Sequence, residues 1–335
     1  MKPVSVLLAA ALAATACADR VEHPPEDRIQ LERNSEFDGG TLRFFVELED
    51  GTELSVNTND DVYTASPATT PLPGHRAQAI TFFKDRKEGA SLAHGLLSWD
   101  PANPADYLVF GWWAYFPDRH PPELSLADSV RYAVVDGPEI DHGVPPVLPV
   151  DGTATYTGQA GGLYSYVPGG GPGENGQGFV IEEYQGVLTL TADFGDRSVR
   201  GCIGCVGDLD TRRAHFGVIL GPELGDARGV ARDYELHLAS AIVREDGTFE
   251  RDRVTVKHPT RTVAESDGFW GGAFSSRQDT EGAPRLVAGF NGVSFTESDG
   301  SEGEFVGSFL GLSEPFRETG ESGPLPSPAS RPPGN

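Results

Sequence analysis

Apolar side chains recur at every second position through most of this chain, and short turn signals interrupt them at close intervals. From Val187 to Phe194, Leu188, Leu190, Ala192 and Phe194 fall on one face, and Val187, Thr189, Thr191 and Asp193 on the other. A period of two suits a pleated strand with one buried face and does not suit a helix. Gly195-Asp196 then turns the chain into Ser198–Arg200. Tyr234, Leu236, Leu238, Ser240 and Ile242 share one face of another strand, which Asp246-Gly247 turns into Thr248–Val256. Asp-Gly between alternating runs is the strongest short-range hairpin signal. Phe290, Phe295, Phe305 and Phe309 lie in further strands, set off by Asn291-Gly292 and Asp299-Gly300. The 42 glycines suit the turns, bulges and corners that such a fold requires. One weak helical pattern stands near Ser125–Arg131. The spacing predicts an all-β fold, with an antiparallel barrel or sandwich in the C-terminal half.

Before Pro149 the texture changes. Thr41–Leu48 and Glu53–Asn57 read as a hairpin turned by Asp50-Gly51, and Ala79–Phe83 as a short strand. Tyr107 to Phe116 is apolar on both faces, so it is either a central strand or a partly exposed aromatic band. Asp136–Pro149 carries four prolines and reads as a linker or a crossing of the rim, with a domain boundary near Val150.

The first residues, Met1-Lys2 followed by an uncharged run from Val4 to Ala16, have the charged and apolar regions of a secretory signal. The run is too short to cross a bilayer, which takes about 20 residues. Leu12-Ala13-Ala14-Thr15-Ala16-Cys17 resembles the bacterial lipobox, which implies that Cys17 is the lipidated first residue of the mature protein. Each buried acyl CH₂ contributes about 0.8 kcal/mol, and two or more chains anchor stably. Ala18 after the cysteine favours the outer membrane over the inner. Residues 18–40 are polar and charged, as a flexible tether would be.

Fifty acidic against 26 basic residues leave a net charge of −24. Such a surface repels phosphate backbones, so a nucleic-acid partner is not expected.

With Cys17 lipidated, Cys202 and Cys205 remain for an oxidising compartment. In a straight strand they would stand about 10 Å apart, too far for a disulfide, but Gly201 and Gly204 allow the chain to turn. A local disulfide is the leading expectation, stabilising by about 2 kcal/mol; free thiols, or a redox or metal role, are the alternatives. Zinc would need further ligands, and His215 is the near one in sequence. No metal site and no cofactor is assigned. Gly171–Gly176 matches G-x-G-x-x-G but lacks the flanking strand and helix of a phosphate cradle. Asn57, Asn59, Asp60 and Asp61 read as a polar turn, and Glu182-Glu183 as part of a solvated face. The eight histidines are scattered, with no H-E-x-x-H or G-x-S-x-G motif and no catalytic residue to name.

Several segments together resemble one family. Asp151–Gly158 with Gly161–Tyr164 resembles the opening barrel hairpin of transferrin-binding-protein-B-like surface lipoproteins. Leu188–Gly195 with Val199–Gly201 is similar to that family's next strands, and Gly268–Phe274, Val287–Phe290 and Gly303–Gly307 to its closing ones. Tyr107–Trp113 is like the segment before the barrel in short members. The resemblance implies an eight-stranded antiparallel barrel preceded by a smaller β-rich handle. It also implies capture of a protein or solute ligand, in nutrient or metal acquisition, beside an outer-membrane receptor or a surface-lipoprotein translocator. This chain is a single lobe and has Ala273–Arg277 where a Phe-Tyr-Gly-Pro-type run is usual. A solute or protein other than transferrin is therefore the implied ligand.

The expected organisation is a signal peptide over 1–16, a lipidated tether over 17–40, a handle over 41–150, a barrel over 151–312 and a disordered Pro/Gly/Ser tail over 313–335. Trp112, Trp113, Tyr115 and the barrel residue Trp270 either pack the handle against the barrel or form an exposed binding patch. Arg212 and Arg213 lie in a long insert at the rim and would suit an anionic group. A binding module, not an enzyme, is the leading reading. A lipocalin-like carrier with an apolar ligand inside the barrel is the second, and a hydrolase on a barrel scaffold the third.

Overall fold

The structure is a computed structural model, and it describes residues 35–47, 53–59, 62–70, 72–86, 89–116, 130–140, 144–169, 180–213 and 233–323. Cys17, the expected signal segment and most of the expected tether lie outside the described residues. The protein is all-β, with a closed eight-stranded antiparallel barrel and two smaller sheets before it.

The handle is built from both smaller sheets. β1 (Ser35–Phe37), β2 (Leu42–Glu47) and β3 (Glu53–Asn57) form the first, and β4 (Val62–Pro67), β5 (Arg76–Arg86), β6 (Gly89–Asp100), β7 (Asn103–Phe116) and β8 (Val130–Asp136) form the second as a meander. Leu42, Phe44 and Val56 of the first sheet pack on Ile80, Phe82, Tyr107, Val109 and Trp113 of the second. On the other face of β7, Leu108 and Phe110 meet Ala288, Leu310 and Leu312 of the barrel wall. Covered on both sides, β7 can be apolar on both faces. It is the inner strand of the two alternatives open in the sequence.

The barrel follows as β9 (Thr153–Val167), β10 (Val180–Asp193), β11 (Ser198–Ile203), β12 (Asp210–Arg213), β13 (Glu235–Val243), β14 (Thr248–Arg251), β15 (Val254–Lys257), β16 (Val263–Phe274), β17 (Leu286–Glu297) and β18 (Glu302–Ser313). β14 and β15 share one position between β13 and β16, and β18 pairs back on β9 to close the wall. Where Gly162 faces Gly307, a Cβ on Gly162 would lie 2.1 Å from the Val306 carbonyl oxygen, so only glycine fits. The interior is filled by large side chains, among them Tyr156, Tyr164, Tyr184, Phe249, Trp270 and Phe305. One end is closed by hydrogen bonds: Tyr166 and Tyr234 donate to Glu297 at 2.9 and 2.5 Å, and Arg261 donates to both hydroxyls. Burial, and then the bond to Glu297, push the Tyr234 hydroxyl well above its ordinary pKa.

Several expectations need correction. The alternation from Tyr234 to Ile242 is broken by a bulge, because Leu238 faces Gly201 whereas Ala241 faces Val199. The extra residue reverses the phase, leaving Ile242 74% exposed and Ala241 and Val243 inside. Asn291-Gly292 is not a turn but the middle of β17, where Asn291 points inward and donates to the Tyr184 hydroxyl at 3.1 Å. Val130 and Arg131 are in a strand, not a helix; the rest of that candidate lies outside the described residues.

The expected tether ends in a strand, since Ser35–Phe37 pairs with β2 and Asp136 accepts hydrogen bonds from the Ser35 backbone N–H and hydroxyl. The start of the expected tail is ordered as well. α1 (Glu314–Thr319) buries Phe316 against the barrel and stops at Gly320, whose φ of 69° suits a left-handed cap. Residues 324–335 of that tail lie outside the described residues.

Candidate functional site

Handle and barrel meet along a seam with two polar features, a latch and a cleft. In the latch, Glu139, just after β8, accepts hydrogen bonds from Arg285 Nε at 2.9 Å, from Arg285 Nη2 and from the Ser275 hydroxyl at 3.1 Å. Arg277 bridges Asp106 at 2.6 Å and Glu139 at 3.4 Å. His75 stands beside this cluster, and burial holds its imidazole below the ordinary value, opposed by Asp106. The segment expected to be a linker is therefore pinned at its start. A second pair, Arg131 with Glu304 at 2.6 Å, ties β8 to β18.

The cleft, of about 430 Å³, lies between β6 and β7 on one side and β9 and β10 on the other. Its wall is set by register. His94 faces Trp112 across β6 and β7, so both rings turn to the barrel. Across the seam, the Trp112 indole N–H donates to Glu183 Oε1 at 3.3 Å, and His94 Nε2 lies 3.8 Å from the same oxygen. His94 Nδ1 is 2.8 Å from the Thr81 hydroxyl, which fixes the ring. Gln185 donates to Gln159 at 2.9 Å on the exposed rim. The cleft thus combines an aromatic floor with a carboxylate 2% exposed and two carboxamides, a set that suits a polar group.

Placing Glu182-Glu183 on one solvated face is overturned, because both carboxylates are buried. Period two already forbids a shared face, since neighbours on a strand point to opposite sides. Glu182 goes with the inward-facing Tyr184, and Glu183 into the cleft.

Of the aromatic candidates, Trp113 and Trp270 are 0% exposed, in the handle core and the barrel core. Tyr115 is partly buried against the handle core. Trp113 and Trp270 therefore offer no exposed patch, and Tyr115 is only partly accessible. Trp112 alone reaches the cleft. Arg212 and Arg213 lie on β12, where the backbone register sets them opposite Glu183 and Glu182. Residues 214–232, part of the expected rim insert that carries Arg212 and Arg213, lie outside the described residues.

Cys202 and Cys205 stand at disulfide distance, with Cα atoms 5.9 Å apart. Gly204, at φ of 83°, makes the turn that returns Cys205 to Cys202. Among the described residues the nearby histidine is His237, directly opposite Cys202 on β13; His215 lies outside the described residues. Its Nε2 lies 3.8 Å from Cys205 Sγ and 2.8 Å from Glu235 Oε2. His94, Glu139 and His237 were missed because no local motif surrounds them; Glu183, Arg285 and Cys202 come to them only through tertiary contacts.

No protein-family model matches the chain, and no curated protein matches it.

Proposed function

We propose that this protein is an outer-membrane lipoprotein, anchored through Cys17, that binds a polar solute or a polar group of a protein partner in the cleft between handle and barrel. The observation that carries this reading is the buried Glu183 carboxylate, held by Trp112 beside His94 at the wall of an open cleft. Rigid walls and few convergent polar groups are the usual marks of a binding site. The transferrin-binding-protein-B-like resemblance agrees with this reading and adds an outer-membrane receptor or a surface-lipoprotein translocator as partner. Carriage inside the barrel is the weaker reading, because aromatic side chains fill that space. Catalysis is also weaker: both ring nitrogens of His94 face wall residues, Thr81 and Glu183.

Two expected results test this function. Ligand-observed NMR against amino acids, short peptides, sugars, polyamines and a fatty acid should find a polar binder. Gln159→Trp, which fills the exposed rim, should weaken it at least about tenfold (roughly 1.4 kcal/mol) without changing the melting temperature. A fatty acid that binds equally well to wild type and Gln159→Trp would favour the carrier instead. Separately, Cys17→Ser should move the protein from the membrane to the soluble fraction. If the variant stays with the membrane, lipidation at Cys17 is not the anchor.

A further inference from the structure

The outer face of the barrel at β11 and β13 carries a second constellation that the cleft does not use. Cys202 and His237 are cross-strand partners, and the turn at Gly204 places Cys205 beside both. One ligand atom from each of Cys202, Cys205 and His237 lies within 4.8 Å of the other two. Glu235, two residues before His237 and on the same face, holds its carboxylate 2.8 Å from the same imidazole nitrogen. Tetrahedral zinc binds sulfur at about 2.3 Å and nitrogen at about 2.0–2.1 Å, so its sulfur and nitrogen ligands sit about 3.6 Å apart. The observed 3.8 Å between Cys205 Sγ and His237 Nε2 is close to that spacing.

We propose that these four residues form a redox-gated zinc site. In the disulfide form neither sulfur is a thiolate, and the site does not bind zinc. A dithiol reductant supplies two electrons and two protons, breaks the Cys202–Cys205 bond and leaves as its own disulfide. Zinc then binds both sulfurs, displacing the two thiol protons to water, with His237 Nε2 as third ligand and the Glu235 carboxylate as fourth. The scaffold survives the opening because it does not depend on the bond. Cys202 remains paired with Thr189 and with His237, and the Gly204 N–H donates to the Val187 carbonyl at 3.0 Å. Cys205 is exposed, so reductant and ion both have access. Two thiolates, an imidazole and a carboxylate are a donor set that zinc favours over magnesium or calcium.

The test uses the full-length protein extracted in detergent, reduced with dithiothreitol, desalted without oxygen and titrated with Co²⁺ as the coloured substitute for zinc. We expect one Co²⁺ per chain with a thiolate-to-cobalt charge-transfer absorption, displaced by Zn²⁺, and none in the oxidised protein. His237→Ala should weaken binding at least about tenfold, and Glu235→Gln by less. If circular dichroism shows that His237→Ala disturbs the barrel, His237→Gln reads the same loss. A reduced wild type without that absorption, or one whose affinity is unchanged in the folded His237 variants, overturns the proposal.

Discussion

Replacing Glu139 with alanine should lower stability by roughly 3–5 kcal/mol, the cost of leaving a buried charge without its partner. Arg285 is 7% exposed, stacks over the Phe316 ring at 4.7 Å and donates to Ser322 at 2.8 Å, so it cannot swing out to water without breaking those contacts. Burial already presses its guanidinium below the ordinary pKa. The loss also reaches Arg277 and Ser275, which share the same carboxylate. A fall in melting temperature on the order of 10 °C is expected. Because Glu139 belongs to the handle side and Arg285 to the barrel, the variant also tests whether the two unfold as one unit. The double variant Glu139→Leu with Arg285→Met should recover most of the loss, since an apolar pair of similar volume needs no desolvation. If Glu139→Ala melts with the wild type, the latch contributes nothing.

The second large effect is expected at Trp270. Its ring lies 5.2 Å from Phe249 and 6.3 Å from Phe309 in the barrel core, and its indole N–H donates at 2.9 Å to the carbonyl of Ala239. Ala239 sits in the β13 bulge, where the register with β11 shifts and the regular ladder is interrupted. Trp270 therefore fills the interior and also satisfies a carbonyl at the irregularity. Trp270→Ala should cost about 3–5 kcal/mol in a urea titration. Trp270→Phe keeps an aromatic ring but leaves the carbonyl without its donor, and should cost about 1–3 kcal/mol. If Trp270→Phe is as stable as wild type, the hydrogen bond to the bulge does not matter and only the ring's volume does.

The same bulge shows where reading the sequence stops. The alternation at Val187–Phe194 predicted the correct inward face, because that strand is regular from end to end. The alternation from Tyr234 predicted the wrong face beyond Leu238, because one extra residue reverses every later side chain, and nothing local marks it. Turn chemistry has the same limit. Asp246-Gly247 and Asp299-Gly300 do end strands, with both glycines at positive φ, whereas Asn291-Gly292 runs straight through one. In β17 the interior requires Asn291 for Tyr184, and the Phe269 ring lies 2.8 Å from where a Gly292 Cβ would sit.

The sequence by itself determined that the chain would fold into strands, with an antiparallel barrel or a sandwich in its C-terminal half; closure over Thr153–Ser313, which the family resemblance implied, is made by β18 pairing back on β9. The strands follow from period-two burial and turn residues, which act over a few neighbours. Tertiary structure alone decided which groups meet: Glu139 with Arg285, 146 positions apart, and Cys205 with His237, 32 apart. Such contacts depend on barrel closure, strand register and the stacking of the handle. Those come from the sum of all pairings, so no single stretch of sequence encodes them.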